Sequence, residues 1–330
     1  MSKIPLSVLD LAIVTQGGNF STAIERSVLL AQHAEQLGYK RFWLAEHHNM
    51  KHVASSATAV LIGHVAGSTN SIRVGSGGIM LPNHSTLAIA EQFGTLDALY
   101  PGRIDLGLGR APGTDQATAM ALRRNFADGA YDFGEHIMEL QHYFGNTNEA
   151  MRVRAFPGEG AKVPIWILGS STDSAYLAAA MGLPYAFAAH FAPAQFEIAV
   201  KIYQQNFRPS PALQKPYTMA CVNVVGADTD AEAQLLSTSI YQMFLGIISG
   251  QRKPLQAPTE KMDELWDAPA KAAVEQMTHY TFAGNKNTLR KNLNAFIAAN
   301  GVDELMVTSN VYDNTARLKS FSILNEAMSE

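Results

Sequence analysis

Apolar residues fall along the chain in short, nearly continuous runs bounded by turn-forming residues. The runs cover 6–14, 41–47, 72–81, 104–109, 164–168, 185–190, 217–225 and 304–308. Runs this short that scarcely alternate predict strands covered on both faces. The segments between them carry the helical period. Thr22 and Glu25 have the spacing of a capping box, Ile24, Val28, Ala31 and Ala34 follow on one face, and Gly38 stops the helix. Further helices are predicted over 56–66, 86–99, 173–181, 194–207, 230–248, 288–299 and 316–327.

Eight strands alternating with helices predict a parallel sheet, and eight is the number that closes an α/β fold into a (β/α)8 TIM barrel. Two intervals are too long for one helix. Residues 111–163 read as an extra loop rich in Gly, Asn and Arg, while 249–283 carry Pro254, Pro258 and Pro269, which discourage a single long helix. As insertions after strands 4 and 7, they would sit over the catalytic end of a barrel. The rival is a doubly wound dinucleotide-binding sheet, which needs G-x-G-x-x-G after an early strand. The first strand is followed by Thr15-Gln16-Gly17-Gly18-Asn19 instead, and Gly107-Leu108-Gly109-Arg110-Ala111-Pro112-Gly113 spaces its last glycine one residue too far. No repeat or linker divides the chain, so residues 1–330 are expected to form one domain.

Composition narrows the function. Hydrophobic residues make up 47% of the chain and charged ones 16%, enough to fill a large core and too few charges for a disordered one. Lys and Arg number 25 against 29 Asp and Glu, without a basic block, which argues against nucleic acid or a membrane surface as partner. The single cysteine, Cys221, cannot form an internal disulfide; with no signal peptide and no run of membrane-spanning length, a cytoplasmic enzyme is expected.

Candidate chemistry gathers at predicted strand ends. The second strand closes on Glu46-His47-His48-Asn49, where barrel active sites are built. Neighbours on a strand face opposite ways, so one of the two imidazoles faces a ligand, and an imidazole moves protons near neutrality. A histidine bonded to backbone is the plain alternative. A metal site using His47, His48 and His52 is another, weakened because no His-x-His pair occurs. In the third strand Gly75, Gly77 and Gly78 point either to close approach of a flat ligand or to a bulge. Arg110, at the end of the fourth strand, suits an oxyanion or a partner carboxylate. Gly169-Ser170-Ser171-Thr172-Asp173 opens a helix after the fifth strand, an ordinary N-cap that together with Arg110 forms a phosphate site. There is no G-x-S-x-G elbow and no phosphate-binding P-loop. Cys221, inside an apolar run, reads as core.

These stretches together resemble the bacterial luciferase-like flavin monooxygenases, and most closely their single-subunit bacterial branch. The resemblance rests on Trp43 to His48, Val74 to Pro82, Ala90 to Asp97, Gly102-Arg103, Gly107 to Arg110, Val163 to Ser171, Gly182-Leu183-Pro184 and Phe282-Ala283-Gly284. It implies FMN at the C-terminal mouth of the barrel. Arg110 with the Gly169-Ser170-Ser171 turn would hold the phosphate, and a cis Gly77-Gly78 bond would lie beneath the isoalloxazine. His47 matches the catalytic histidine, with Glu46 orienting or capping that strand end. It also implies a two-component enzyme: a separate NAD(P)H:flavin reductase, a functional rather than a stable partner, delivers reduced FMN, which with O2 oxygenates a small organic substrate, for example an aldehyde. A homodimer through the second and third helices is implied as well. Luciferase α subunits have a cysteine where Gly109 stands, which argues against light emission. A deazaflavin-dependent oxidoreductase on the same barrel and a non-catalytic flavin-binding protein are the alternatives.

Overall fold

The structure is a computed structural model that describes residues 4–111, 115–122, 132–145 and 152–329. Its strands are β1 (Leu6–Asp10), β2 (Arg41–Leu44), β3 (Arg73–Met80), β4 (Ile104–Gly109), β5 (Ile165–Gly169), β6 (Tyr185–Phe187), β7 (Thr218–Gly226), β8 (Thr281–Gly284) and β9 (Glu304–Thr308). Eight of them run β6-β5-β4-β3-β2-β1-β9-β7, and a β6–β7 pairing closes the ring. Every pairing is parallel, and these eight are the strands read from the sequence: a (β/α)8 barrel. The ninth, β8, pairs only with the far half of β7, Asn223–Gly226, outside the ring.

The helices are α1 (Phe20–Gln36), α2 (Thr58–Gly67), α3 (Thr86–Leu99), α4 (Gln116–Leu122), α5 (Phe133–Phe144), α6 (Thr172–Met181), α7 (Phe196–Asn206), α8 (Asp230–Ile248), α9 (Ala268–Met277), α10 (Lys286–Asn300) and α11 (Asn314–Ser329). The box that starts α1 is made by Asn19 and Thr22: the Asn19 side chain accepts from Thr22 N and the Thr22 hydroxyl from Asn19 N. Thr22 is therefore the third helical residue and not the cap, because Asn19 offers an equally good acceptor one turn earlier.

Both long intervals hold more order than their composition suggests. The first contains α4 and α5, although 112–114, 123–131 and 146–151 lie outside the described residues. The second contains α9 and β8, and Pro269 stands in the first turn of α9, where a missing N–H costs nothing. The stretch before α9 crosses to the end of β1: Leu255 N donates to Val14 O, and Gln16 N donates to Leu255 O.

Alternation along the strands sorts side chains into two cores. Outward residues such as Val8, Phe42, Leu106 and Val222 pack under the helices. Inward residues Leu9, Trp43, Ala45, Trp166, Ala186, Met219, Cys221 and Met306 fill the barrel, with Trp43 and Trp166 edge to face at 5.2 Å between ring centres. Below them a buried ionic layer closes the N-terminal end. Arg41 donates to Glu304 at 2.6 Å and to Asp105 at 2.7 Å, and its guanidinium stacks on Trp166. With both charges partnered, burial there is tolerated, and the filled lower end leaves the C-terminal mouth as the open one.

Candidate active site

β2 ends at Leu44, but the chain stays extended through 45–48, held by Ala45 N to Asp10 O and His47 N to Ser55 O. Glu46 and His47 therefore point in opposite directions. The Glu46 carboxylate is buried and accepts four groups: His48 Nε2 at 2.8 Å, Met80 N at 3.0 Å, Asn83 Nδ2 at 3.0 Å and His84 Nε2 at 3.0 Å. Burial alone would raise its pKa; the bonds from His84, Asn83 and His48 outweigh that and bring it below the usual carboxylate value. Glu46 thus ties the end of β2 to the end of β3 and the turn after it. Among the described residues, the metal-type ligand atoms that converge belong to Glu46, His48 and His84. His47 and His52 are not part of that group. Glu46 already accepts all four donors.

His47 turns its ring to the mouth. Its Nδ1 is buried without a hydrogen-bond partner. Burial foremost, then the Arg252 guanidinium, lowers its pKa to about 4, so it is neutral at physiological pH. Its counterpart across the mouth comes from the segment 185–191, which the resemblance to the family implies should line the site without assigning its residues roles. His190 lies three residues past β6, and its pKa falls to about 3 through burial and the nearby His47. Its Nδ1 is likewise buried and unpartnered. Asn223 donates from Nδ2 to His190 O at 2.7 Å and leaves Oδ1 unpartnered. It follows Met219 and Cys221 on the inward face of β7, and Thr308, its register partner on β9, has an unpartnered hydroxyl. The signal that could have found Asn223 is a lone amide inside the otherwise apolar end of 217–225; His190 lies in the segment 185–191 expected to line the site, with nothing to separate it from its neighbours. Unsatisfied buried polar atoms are rare in a finished core, so four around one opening mark a place where a ligand completes the bonding.

The glycine-rich end of β3 lies on the strand next to β2. Gly77–Gly78 is a cis peptide, and the β3–β4 register shifts there. A Cβ on Gly77 would meet Leu9 Cδ1 at 2.6 Å, and one on Gly78 would lie 2.8 Å from Gly107 O. Only glycine lets the backbone come this close to the interior side chains and to β4.

At the ends of β4 and β5, Arg110 and the Ser170-Ser171 turn are brought together. Arg110 Nη2 lies 3.3 Å from Asp173 Oδ2, both side chains being exposed. The arginine thus has the carboxylate partner that was the alternative to a phosphate, on a surface where such a pair is weak and exchangeable. Ser171 precedes α6 without making a side-chain cap, and Thr172 N is taken by Gln195 Oε1 at 3.1 Å. Gly169 admits Ser174, whose hydroxyl bonds to Ser171 O at 2.8 Å. Pro112 and Gly113, the end of the motif that begins at Gly107, lie outside the described residues. Cys221 is buried and its thiol pKa is pushed far up by burial, as a core residue's should be.

The chain is similar over nearly its whole length to several other proteins. The chain is 53% identical to the uncharacterised protein YvbT of Bacillus subtilis, covering 97% of this chain and 95% of that one. It is 46% identical to the luciferase-like monooxygenase of Escherichia coli strain K12, covering 99% and 98%. Among solved structures, apo-MsnO8 superposes with a TM-score of 0.91 at 34% identity, covering 98% of both chains. More distant chains share the fold: the oxygenating constituent of 3,6-diketocamphane monooxygenase from Pseudomonas putida in complex with FMN (TM-score 0.73, 16% identity, covering 98% and 96%), and an F420-dependent secondary alcohol dehydrogenase in complex with an F420-acetone adduct (0.69, 13%, covering 99% and 100%). The profile of the luciferase-like monooxygenases matches residues 6–304, from the first strand of the barrel to the start of the last, and the chain belongs to that family of oxidoreductases.

Proposed function

We propose that the protein is the oxygenating component of a two-component, FMN-dependent monooxygenase. Reduced FMN would come from a separate NAD(P)H:flavin reductase, and the organic substrate would enter the same mouth. The observation that carries this reading is the set of unpartnered buried polar atoms on His47, His190, Asn223 and Thr308, together with the end of β3 where only glycine fits against its neighbours. The residues fit the cofactor. Gly77 and Gly78 would lie under the ring system, and Arg110 with Gly169, Ser170 and Ser171 would hold the phosphate once Arg110 exchanges the exposed Asp173 for it. The FMN in the Pseudomonas enzyme of the same fold supports that choice.

When bound, reduced FMN supplies the electrons for oxygen activation; the chain's part is position, protons and shelter. His47, neutral at physiological pH, offers a buried nitrogen that takes up or returns a proton beside the reacting groups. Glu46 positions it by locking the end of β2, and the segment that brings Arg252 and Leu255 to the end of β1 screens the mouth from water. We take residues 1–330 as one catalytic unit, cytoplasmic, acting as a homodimer through α2 and α3, whose Val60 and Leu99 are exposed. No described helix is long and apolar enough to cross a membrane.

The F420-dependent neighbour favours a second reading, hydride transfer with a deazaflavin. Anaerobic titration with reduced FMN and with reduced F420, followed by admission of air, separates the two. The proposal expects tight binding of reduced FMN and oxygen uptake that depends on it. Binding of F420 alone, with no oxygen uptake, would replace it with the second reading.

A further inference from the structure

A row of polar side chains crosses three neighbouring strands at the C-terminal rim of the barrel. Asn223 on β7 stands in register with Thr308 on β9 and with Thr281 on β8. Register partners in a parallel sheet point to the same face. On β7 and β9 that face is the inner one, because Met219, Cys221 and Met306, which precede Asn223 and Thr308 on it, fill the barrel. Val224 and its register partner Phe282 pack on the other side, under the helices. Thr308 Oγ1, Asn223 Oδ1 and Thr281 Oγ1 are all buried without a hydrogen-bond partner among the described residues. The orientation of the Asn223 amide is settled by its one bond. His190 O can only accept, so the group that meets it at 2.7 Å is Nδ2, and Oδ1 is left as an acceptor. Each flanking hydroxyl has a hydrogen to give.

From this we infer that Thr308, Asn223 and Thr281 bind the organic substrate through an uncharged group that donates and accepts a hydrogen bond on one edge, a hydroxyl or a primary amide. Neighbouring strands lie about 4.8 Å apart. One hydroxyl oxygen between two such side chains reaches both at about 2.8 Å, its hydrogen on Asn223 Oδ1 and a lone pair toward a threonine hydroxyl. A carboxylate would set lone pairs against Asn223 Oδ1, and an ether or aldehyde would leave that oxygen desolvated and empty. The surroundings are otherwise apolar, with Met219, Cys221 and Met306 on one side and Val225 and Ala283, packed with α8, on the other. They suit a hydrocarbon body behind the head group. The inference rests on the proposed function in giving the row to substrate: β7 and β9 are separated from β3 by β1 and β2 and from β5 by β6, away from the residues proposed for the flavin.

Hexanol, methoxyhexane and hexanoate share an alkyl body and differ in the head group, so their relative affinities read the row directly. They are titrated by ligand-detected NMR into the flavin-free enzyme, and again anaerobically with photoreduced FMN present. The wild type should bind hexanol about tenfold or more tightly than the ether or the carboxylate. In Thr308→Val, which exchanges the hydroxyl for a methyl, and in Asn223→Leu, which removes the acceptor, that ratio should fall toward one. Leu also gives up the bond to His190 O, so Thr308→Val decides the matter if Asn223→Leu does not fold. A second reading needs no ligand. Removing a buried polar atom that has no partner costs the free protein nothing, so the urea midpoint of ligand-free Thr308→Val should equal or exceed that of the wild type. A wild type that binds the ether as tightly as the alcohol, a Thr308→Val enzyme that keeps the wild-type ratio, or one with a lower urea midpoint overturns the inference. Discrimination for the alcohol in an enzyme that does not bind reduced FMN refutes the flavin proposal and leaves the row in place; tight reduced-FMN binding without discrimination does the reverse.

Discussion

Replacing Glu46 by Gln removes one charge and almost no volume, so its effect isolates the four hydrogen bonds that converge there. In the wild type every partner is a donor: two imidazole N–H groups, one backbone N–H and one amide N–H, at 2.8–3.0 Å. Glutamine's oxygen can keep the His48, Asn83 and His84 bonds made to Oε1, but its NH2 group then faces Met80 N, so at least one buried donor loses its acceptor and the remaining bonds go to a neutral oxygen instead of a charged one. A buried donor without an acceptor costs about 1–3 kcal/mol. Some relief comes from the two histidines, which can turn or change tautomer. A net loss of about 3 kcal/mol is expected, in the range seen when one member of a buried charged pair is removed. At roughly 2 °C per kcal/mol for a chain of this size, the melting temperature should fall by about 6 °C. The difference should also depend on pH. The folded-state pKa of Glu46 lies below its ordinary value of 4.5, so its stabilisation is fully present above that value and is lost as pH falls through the lower, folded one. Urea unfolding of both proteins from neutral pH to below pH 4 would show the wild-type advantage holding down to about 4.5 and shrinking below it. A Glu46→Gln protein that melts within about 1 °C of the wild type at neutral pH would refute the idea that this carboxylate ties β2 to β3.

Other perturbations probe different parts of the mouth. His47→Gln should lower kcat by about a hundredfold or more while leaving reduced-FMN affinity within about threefold, read by steady-state kinetics and anaerobic titration. Both mouth histidines have depressed pKa values, so between pH 6.5 and about 4 the unfolded chain binds protons that the folded one refuses. Wild-type stability should rise with pH across that window, and more steeply than in a His47→Gln, His190→Gln double variant. Gly78→Ala would place a methyl 2.8 Å from Gly107 O and closer still to Leu168, lowering stability by about 1–3 kcal/mol in urea unfolding. Arg110→Gln should weaken FMN binding about tenfold in fluorescence titration with little change in melting temperature, because its ion pair with Asp173 is exposed.

How far these features could be read in advance follows from how local their causes are. The eight barrel strands are legible because a strand covered on both faces is apolar at most positions, as in Phe42–Leu44 and Ile165–Leu168. β8 escapes because it is four residues long, half-buried and outside the ring, so nothing forces an apolar run on it. β1 is shorter than its apolar run because Asp10 Oδ1 turns back to Ala12 N and Ala12 takes a positive φ of 49°. His47 and Arg110 stand out by position at strand ends. The partners that give Glu46 its role, Asn83 and His84, lie more than thirty residues away, and only the β2–β3 pairing brings them in. The same holds for the Arg41, Asp105 and Glu304 layer, three charges far apart in the sequence that meet only when the barrel closes. His190 sits past the end of its strand, and only the closed barrel brings Asn223 of β7 to its backbone carbonyl.

The measurement that tests the central claim most directly is a crystal structure of the enzyme soaked anaerobically with reduced FMN. The account predicts the phosphate against Arg110 and the Ser170-Ser171 turn, with Arg110 released from Asp173, and the ring system over the Gly77-Gly78 bond within reach of His47. Flavin bound away from the C-terminal mouth, or a mouth that stays empty at saturating reduced FMN, would contradict it.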